Sequence, residues 1–293
     1  MSWARRFAGN RSAMVGALLV IGLVVMSLLG VAPPHDPLVP DIQHGLTEIG
    51  APLPPLSGTA VLGTDHFGRD VWSRLVTGAG TSLTIAALAT VISMLIGVVV
   101  GLVAGYFGGW VDNGLMRLVD LVLAFPMLLL AILLAALLRE ADLAWSSAPI
   151  VVTLAAVGWT ATARVVRAKA MVLARSEMVV AARSIGAGPM RVMVNHLAPN
   201  VLGVIVVLAA MGFAQNLLAE SVLSYLGLGL PAPHPTWGTM LYEGRAYYRT
   251  SPHLVIIPGL AIVIAVIGFK LVAEGLRSVA DPGRELVDTG DRA

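Results

Sequence analysis

The sequence predicts an all-α membrane protein with six transmembrane helices, and three observations carry that expectation. Hydrophobic residues make up 57% of the chain and charged residues 12%, with mean hydropathy +0.84, against about half apolar and a quarter charged in a soluble domain. Six apolar runs approach the ~20 residues that cross a bilayer core as a helix. None alternates polar with apolar as a barrel strand does. Cysteine is absent, which excludes disulfides, thiol catalysis and cysteine metal sites. The net charge of +2 is small and its basic residues lie in a few segments, a pattern that speaks of membrane orientation and not of nucleic acid.

The first run, Ala13 to Val31, follows Arg5, Arg6 and Arg11 and reads as an uncleaved anchor. A cleaved signal peptide is the rival, since "GVA" at 30 to 32 offers small residues, but the run is long and Pro33 would follow the cut directly. Proline-rich residues Pro33 to Pro55 begin an acidic loop that extends to Ser82. The second to fourth spans are expected at Leu83 to Ala104, Leu118 to Leu138 and Pro149 to Val166, the fifth and sixth at Val201 to Leu223 and His253 to Val272. Arg117, Arg164, Arg167, Lys169, Arg175, Arg183, Arg191, Lys270, Arg277, Arg284 and Arg292 join the first three arginines to put 14 of the 19 basic residues on one side. That side is expected to be cytoplasmic, with both termini, and the acidic loop outside. The expected division is residues 1–82 as anchor helix and external loop, 83–281 as a five-helix core containing a cytoplasmic loop at 171–200, and 282–293 as a cytoplasmic tail.

The 171–200 loop holds "SEMVVAARSIGAGPMRVMVNHLAPN". Ser176 and Glu177 read as an N-cap and a first-turn acid. Met178, Val179, Ala181, Ala182 and Ile185 recur at helical spacing, and Gly186 stands where a left-handed residue ends a helix. Gly188 and Pro189 start a second helix, and Pro199 marks a further break before the fifth span. Two short helices joined by a glycine turn are expected. The paired alanines would let a partner backbone approach closely, with Arg183 and Arg191 beside them for an acidic or phosphate-binding partner. A basic loop lying on lipid headgroups fits the same composition.

The spacing of Ala181, Ala182, Gly186 and Pro199 resembles the EAA motif of the membrane subunits of ABC importers. Within that group the chain looks most like the second permease of dipeptide, oligopeptide and nickel uptake systems. Four further stretches share the resemblance in order: "LGTDHFGRDVWSRLVTGAGTSL", "GYFGGWVDNGLMRLVDLVLAFP", "LAESVLSYLGLGLPAPHPTWG" and "EGLRSVADP". The resemblance implies a type I ABC importer permease fold with cytoplasmic coupling helices, in a bacterial inner membrane. It implies ATPase coupling through Glu177, Ala181, Ala182, Arg183, Gly186, Ala187, Arg191, His196 and Pro199. It also implies a heterodimer with a homologous permease, two ABC ATPase subunits that bind ATP and Mg, and an external substrate-binding protein, with membrane lipid around the helices. No cofactor is expected in this chain, which has no G-x-x-x-x-G-K-[ST] loop. Two departures stand out. Val180 occupies the place of the motif's usual glutamate, and His196 and Ala198 replace isoleucine and leucine, the histidine being usual in the peptide-permease branch.

Other polar residues carry paired readings. Asp120 is either part of a gate or the i, i+3 partner of Arg117; Lys270 and Glu274 have i, i+4 spacing. Gln215, Asn216 and Glu220 form a polar patch in the fifth span, facing a pore or packing against a helix, with Glu220 near the outer mouth. Asp65, Arg69 and Asp70 are read as a structural element where the external binding protein docks, or as a solvated loop. His35, His44, His66 and His234 are scattered without ligand spacing, so no metal is expected. An ion-coupled secondary transporter would need inverted repeats and mid-membrane ionisable groups, and an intramembrane enzyme would need H-E-x-x-H or G-x-S-x-G. Neither pattern is seen. The resulting expectation is an importer subunit for di- or oligopeptides or similar small solutes, with nickel chelates or haem as alternative cargo.

Overall fold

The computed structural model describes residues 9–58, 60–139 and 147–280. Arg5, Arg6, Arg284, Arg292 and the 282–293 tail lie outside the described residues. Helix α1 spans Arg11–Leu29, where Asn10 Oδ1 accepts from the amides of Ser12 and Ala13, satisfying donors that the first turn leaves open. Among its described residues, the segment that follows has only isolated bridges, at Leu46 with Pro52, Ser57 with Ala60, and Thr64 with Asp70.

Helix α2, Val71–Phe107, starts well before the span expected at Leu83. Asp70 caps it through the Ser73 amide at 2.8 Å. Its added first turns bury Val71, Leu75 and Val76, the first two packed in one core with Trp237 and Met240, so tertiary contacts outside the apolar run support them. At 37 residues, α2 is about 55 Å long.

The third span is not one straight helix. Helices α3, Gly109–Leu123, and α4, Met127–Arg139, meet at 86°. Pro126 lies at the break, and a proline biases the residue before it away from helical geometry. Helix α5, Ala148–Leu173, has proline in its first turn, where a missing N–H costs nothing. It packs along α2 through a stripe of glycines in which a Cβ on Gly97, Gly101 or Gly105 would come within 2.6–2.7 Å of α5 atoms. Small residues at such seams let membrane helices approach closely.

Helix α6, Glu177–Ser184, and helix α7, Pro189–Val192, form the expected pair. The break expected at Pro199 does not occur. A π-helical turn over Met193–Leu197 leads without interruption into α8, Ala198–Leu223. The Ala198 amide reaches back to the Met193 carbonyl, and this wider turn accommodates the donor that Pro199 lacks. Helix α9, Trp237–Gly244, opens on a reciprocal Thr236–Thr239 capping box. Helix α10, His253–Ala280, packs against α1 and α8. Among the described residues, five helices are long and apolar enough to cross a membrane, and six spans result if the bent α3–α4 pair counts as one.

Candidate functional site

The 171–200 loop is built around a small apolar core. Val179 of α6 and Val192 of α7 are buried with Leu102 of α2, Val166 and Ala170 of α5, and Leu197 and Val201. Ala182 is also buried, whereas Ala181 is exposed. The two alanines therefore do not make one partner-facing surface: neighbours on a helix point about 100° apart, and only one can face inward. Ser176 has the extended backbone of an N-cap, but its hydroxyl donates to the Leu173 carbonyl at 2.7 Å and caps nothing.

Gly186 makes the turn, with φ +85°. The Ala187 amide donates to the Ala182 carbonyl at 3.0 Å, closing α6 in the manner of a left-handed C-cap. Outward from this frame stand Glu177, Met178, Val180, Ala181 and Arg183, then Ile185, Met190 and Arg191. Val180 is 55%, Ile185 87% and Met190 70% exposed. Single exposed apolar residues need no explanation, but here three fall within one short, basic stretch. His196 is half-buried and Pro199 exposed. Arg183 lies over the ring of Tyr106, 4.6 Å from its centroid.

At the opposite end of α2, Asp65, Arg69 and Asp70 are buried, so this segment is not a solvated loop. Asp65 Oδ2 accepts from Arg69 Nε at 2.7 Å and lies 3.4 Å from Arg74 Nε. Glu243 Oε2 accepts from both guanidiniums at 2.8 Å. Two carboxylates thus neutralise two arginines, pairing buried charges that would be costly alone. Arg74 and Glu243 went unnoticed in the sequence; Arg74 sits near Arg69 in the chain, but Glu243 is 174 residues away from it and gave no signal. His66 also joins the group: one ligand atom each from Asp65, His66 and Glu243 lie within 4.8 Å of one another. The carboxylates are already bonded to Arg69 and Arg74, which places positive charge where a cation would have to sit.

Residues 97–285 match the family described as binding-protein-dependent transport system inner membrane component. The chain belongs to this family. It is 34% identical to the dipeptide transport system permease protein of Alkalihalophilus pseudofirmus, over 93% of this chain and 86% of the relative. It is also 34% identical to a putative peptide transport system permease protein of Brucella abortus, over 95% and 90%. A glutathione transport system permease protein of Escherichia coli is 36% identical, over 95% of this chain and 88% of its own. The protein is thus an ABC importer permease, all-α and multi-pass, of the inner membrane.

The remaining polar residues of the permease are placed as follows. Asp120 pairs with Arg164 at 2.6 Å and not with Arg117. Asp112, overlooked in the sequence, receives both Arg167 Nε and NH2. Both pairs tie α3 to α5. The Asp120 pair is exposed on both sides and contributes at most about 1 kcal/mol. Gln215, Asn216 and Glu220 do not form one patch. Asn216 and Glu220, one helical turn apart, are buried; Gln215 is exposed on another face. Asn216 donates to Thr90 of α2 at 3.0 Å. Glu220 accepts from Ser224 at 2.7 Å and also has Ser82, Ser221 and Thr236 as partners. Lys270 and Glu274 are exposed and, among the described residues, no ion pair joins them.

Proposed function

We propose that this permease forms half of the translocation pathway of an ATP-driven importer for di- or oligopeptides or similar small solutes. The observation that carries the reading is the 177–191 turn, which combines exposed Val180, Ile185 and Met190 with Arg183 and Arg191. Exposed apolar residues with two arginines among them fit a cleft in a soluble partner better than they fit water. In this reading the turn is cytoplasmic, along with both termini, and docks on one of two ATPase subunits that bind ATP and Mg. Ala181 packs in the partner's cleft, while Ala182 and Ala187 keep the turn compact. Glu177, His196 and Pro199 bound the docking element.

A homologous second permease completes the pathway, and an external binding protein delivers cargo at the end that holds Asp65, Arg69 and Asp70. ATPase closure pushes on the turn and switches the two permeases between inward-facing and outward-facing packings, a rigid-body transition. Asp120, through its link to Arg164, and exposed Gln215 are the gate and pore candidates. Asn216 and Glu220, already bonded inside the subunit, hold α8 in place. The peptide substrate rests on the names of the relatives, which transport dipeptides, peptides and glutathione.

The test is co-purification of this chain with its partners, followed by ATPase measurement with the binding protein and a panel of dipeptides, oligopeptides, nickel chelates and haem. Stimulation by a peptide supports the proposal in full. Stimulation by a nickel chelate or haem alone reassigns the cargo, and absence of any co-purifying ATPase overturns the proposal.

A further inference from the structure

A push on the 177–191 turn reaches the membrane helices along its chain connections to α5 and α8 and through the turn's own contacts. The buried ones, Val179 and Ala182, are apolar, and such contacts hold a helix down without fixing its rotation. The directional contacts are a long one from the Asn200 amide of α8 to Met178 Sδ, at 3.9 Å, and the guanidinium of Arg183 at 4.6 Å from the Tyr106 ring centroid, a geometry that favours a cation over the aromatic face. The Tyr106 ring is half-buried. Phe107 meets it edge-on, at 5.0 Å and 88°.

Tyr106 lies in the last turn of α2, next to Gly105, where a Cβ would come within 2.6 Å of Ala170 and 2.7 Å of the Arg167 carbonyl. This end of α2 is therefore packed tightly against α5, the helix that leads into α6. The other end of α2 carries Arg74, bonded to Glu243 and to the Pro37 carbonyl. One continuous helix thus joins the ring under Arg183 to the four-charge cluster.

We propose that Tyr106 is a positioning residue for coupling. Its ring fixes the rotation of α6 on α2 by holding Arg183, so that displacement of the turn is carried along α2 to the end anchored by Arg74. The inference rests on the reading of the turn as an ATPase-docking element.

The experiment uses the complete importer, co-expressed with its partners and reconstituted in lipid. The readout is the ratio of ATP hydrolysis with the substrate-loaded binding protein to hydrolysis without it. Tyr106→Leu should lower that ratio by about threefold or more, as expected for loss of a cation–π contact. Tyr106→Phe, which keeps the aromatic face, should restore it. Arg183→Gln alters an exposed side chain and leaves the core intact; it should give the same loss, and the double variant should be no worse than either single one. An unchanged ratio in Tyr106→Leu, failure of phenylalanine to rescue, or additive losses would overturn the inference while leaving the importer reading intact. A wild-type complex without an ATPase overturns both.

Discussion

At Gly186 a φ of +85° places the backbone where a β-branched residue is strained by about 1–3 kcal/mol. A Cβ there would meet no neighbour within 4 Å, so Gly186→Val tests the backbone alone. The variant should insert normally, yet its import and its ATPase stimulation should fall together; normal coupling would remove the role given to the turn. His66 supplies a second test. Its Nδ1 is buried without a partner, and burial lowers its pKa, opposed by Asp65 and Glu243 and assisted by Arg69 and Arg74. The folded protein thus prefers the neutral ring, whereas the unfolded chain takes up a proton near pH 6.5. Stability is retained above that pH and declines as pH falls from about 6.5 towards the lowered value. Melting in detergent across this range should show a smaller acid-induced loss for His66→Phe than for wild type. Gly186 was legible in the sequence because a glycine between two helix patterns has one common use. His66 was not, because its environment comes from Glu243, Arg74 and Tyr247, its stacking partner at 5.2 Å, all distant or unmarked in the chain.

Among the elements, α2 and α5 depend on a seam that admits no side chains. Gly101→Leu would put its Cβ 2.7 Å from the Ala163 carbonyl and from Val166, forcing the helices apart at a cost of about 1–3 kcal/mol or more. Reduced yield of folded protein and a lower melting temperature in detergent are expected, and an unchanged melting temperature would mean that the seam adjusts freely. The apolar runs revealed most spans because span length and hydropathy are local properties. They misplaced the start of α2, whose first turns are held by Asp70 and by contacts with Trp237. They also missed the 86° bend between α3 and α4, since Pro126 permits a break without setting its angle. Pro199 was misread for the opposite reason: a π-helical turn absorbs it, and no local pattern announced that turn.

For the whole molecule, the four-charge cluster fastens the start of α2 to α9, elements far apart in the chain. Removing Glu243 would leave Arg69 and Arg74 with Asp65 as their remaining carboxylate. Glu243→Ala should therefore destabilise the fold by about 3–5 kcal/mol, visible as a lower thermal midpoint; a neutral result would show that water reaches the cluster. The sequence by itself determined the membrane class, the approximate position of most spans, and the paired short helices with their glycine turn. Each of these follows from composition, run length or a local backbone preference. Tertiary structure alone decided which alanine of the pair faces out, that Asp120 meets Arg164, that Asn216 and Glu220 part from Gln215, and that Arg69 and Arg74 share Glu243. Those outcomes depend on which helix faces reach one another across the bundle, and residue spacing along a single chain does not encode that packing locally.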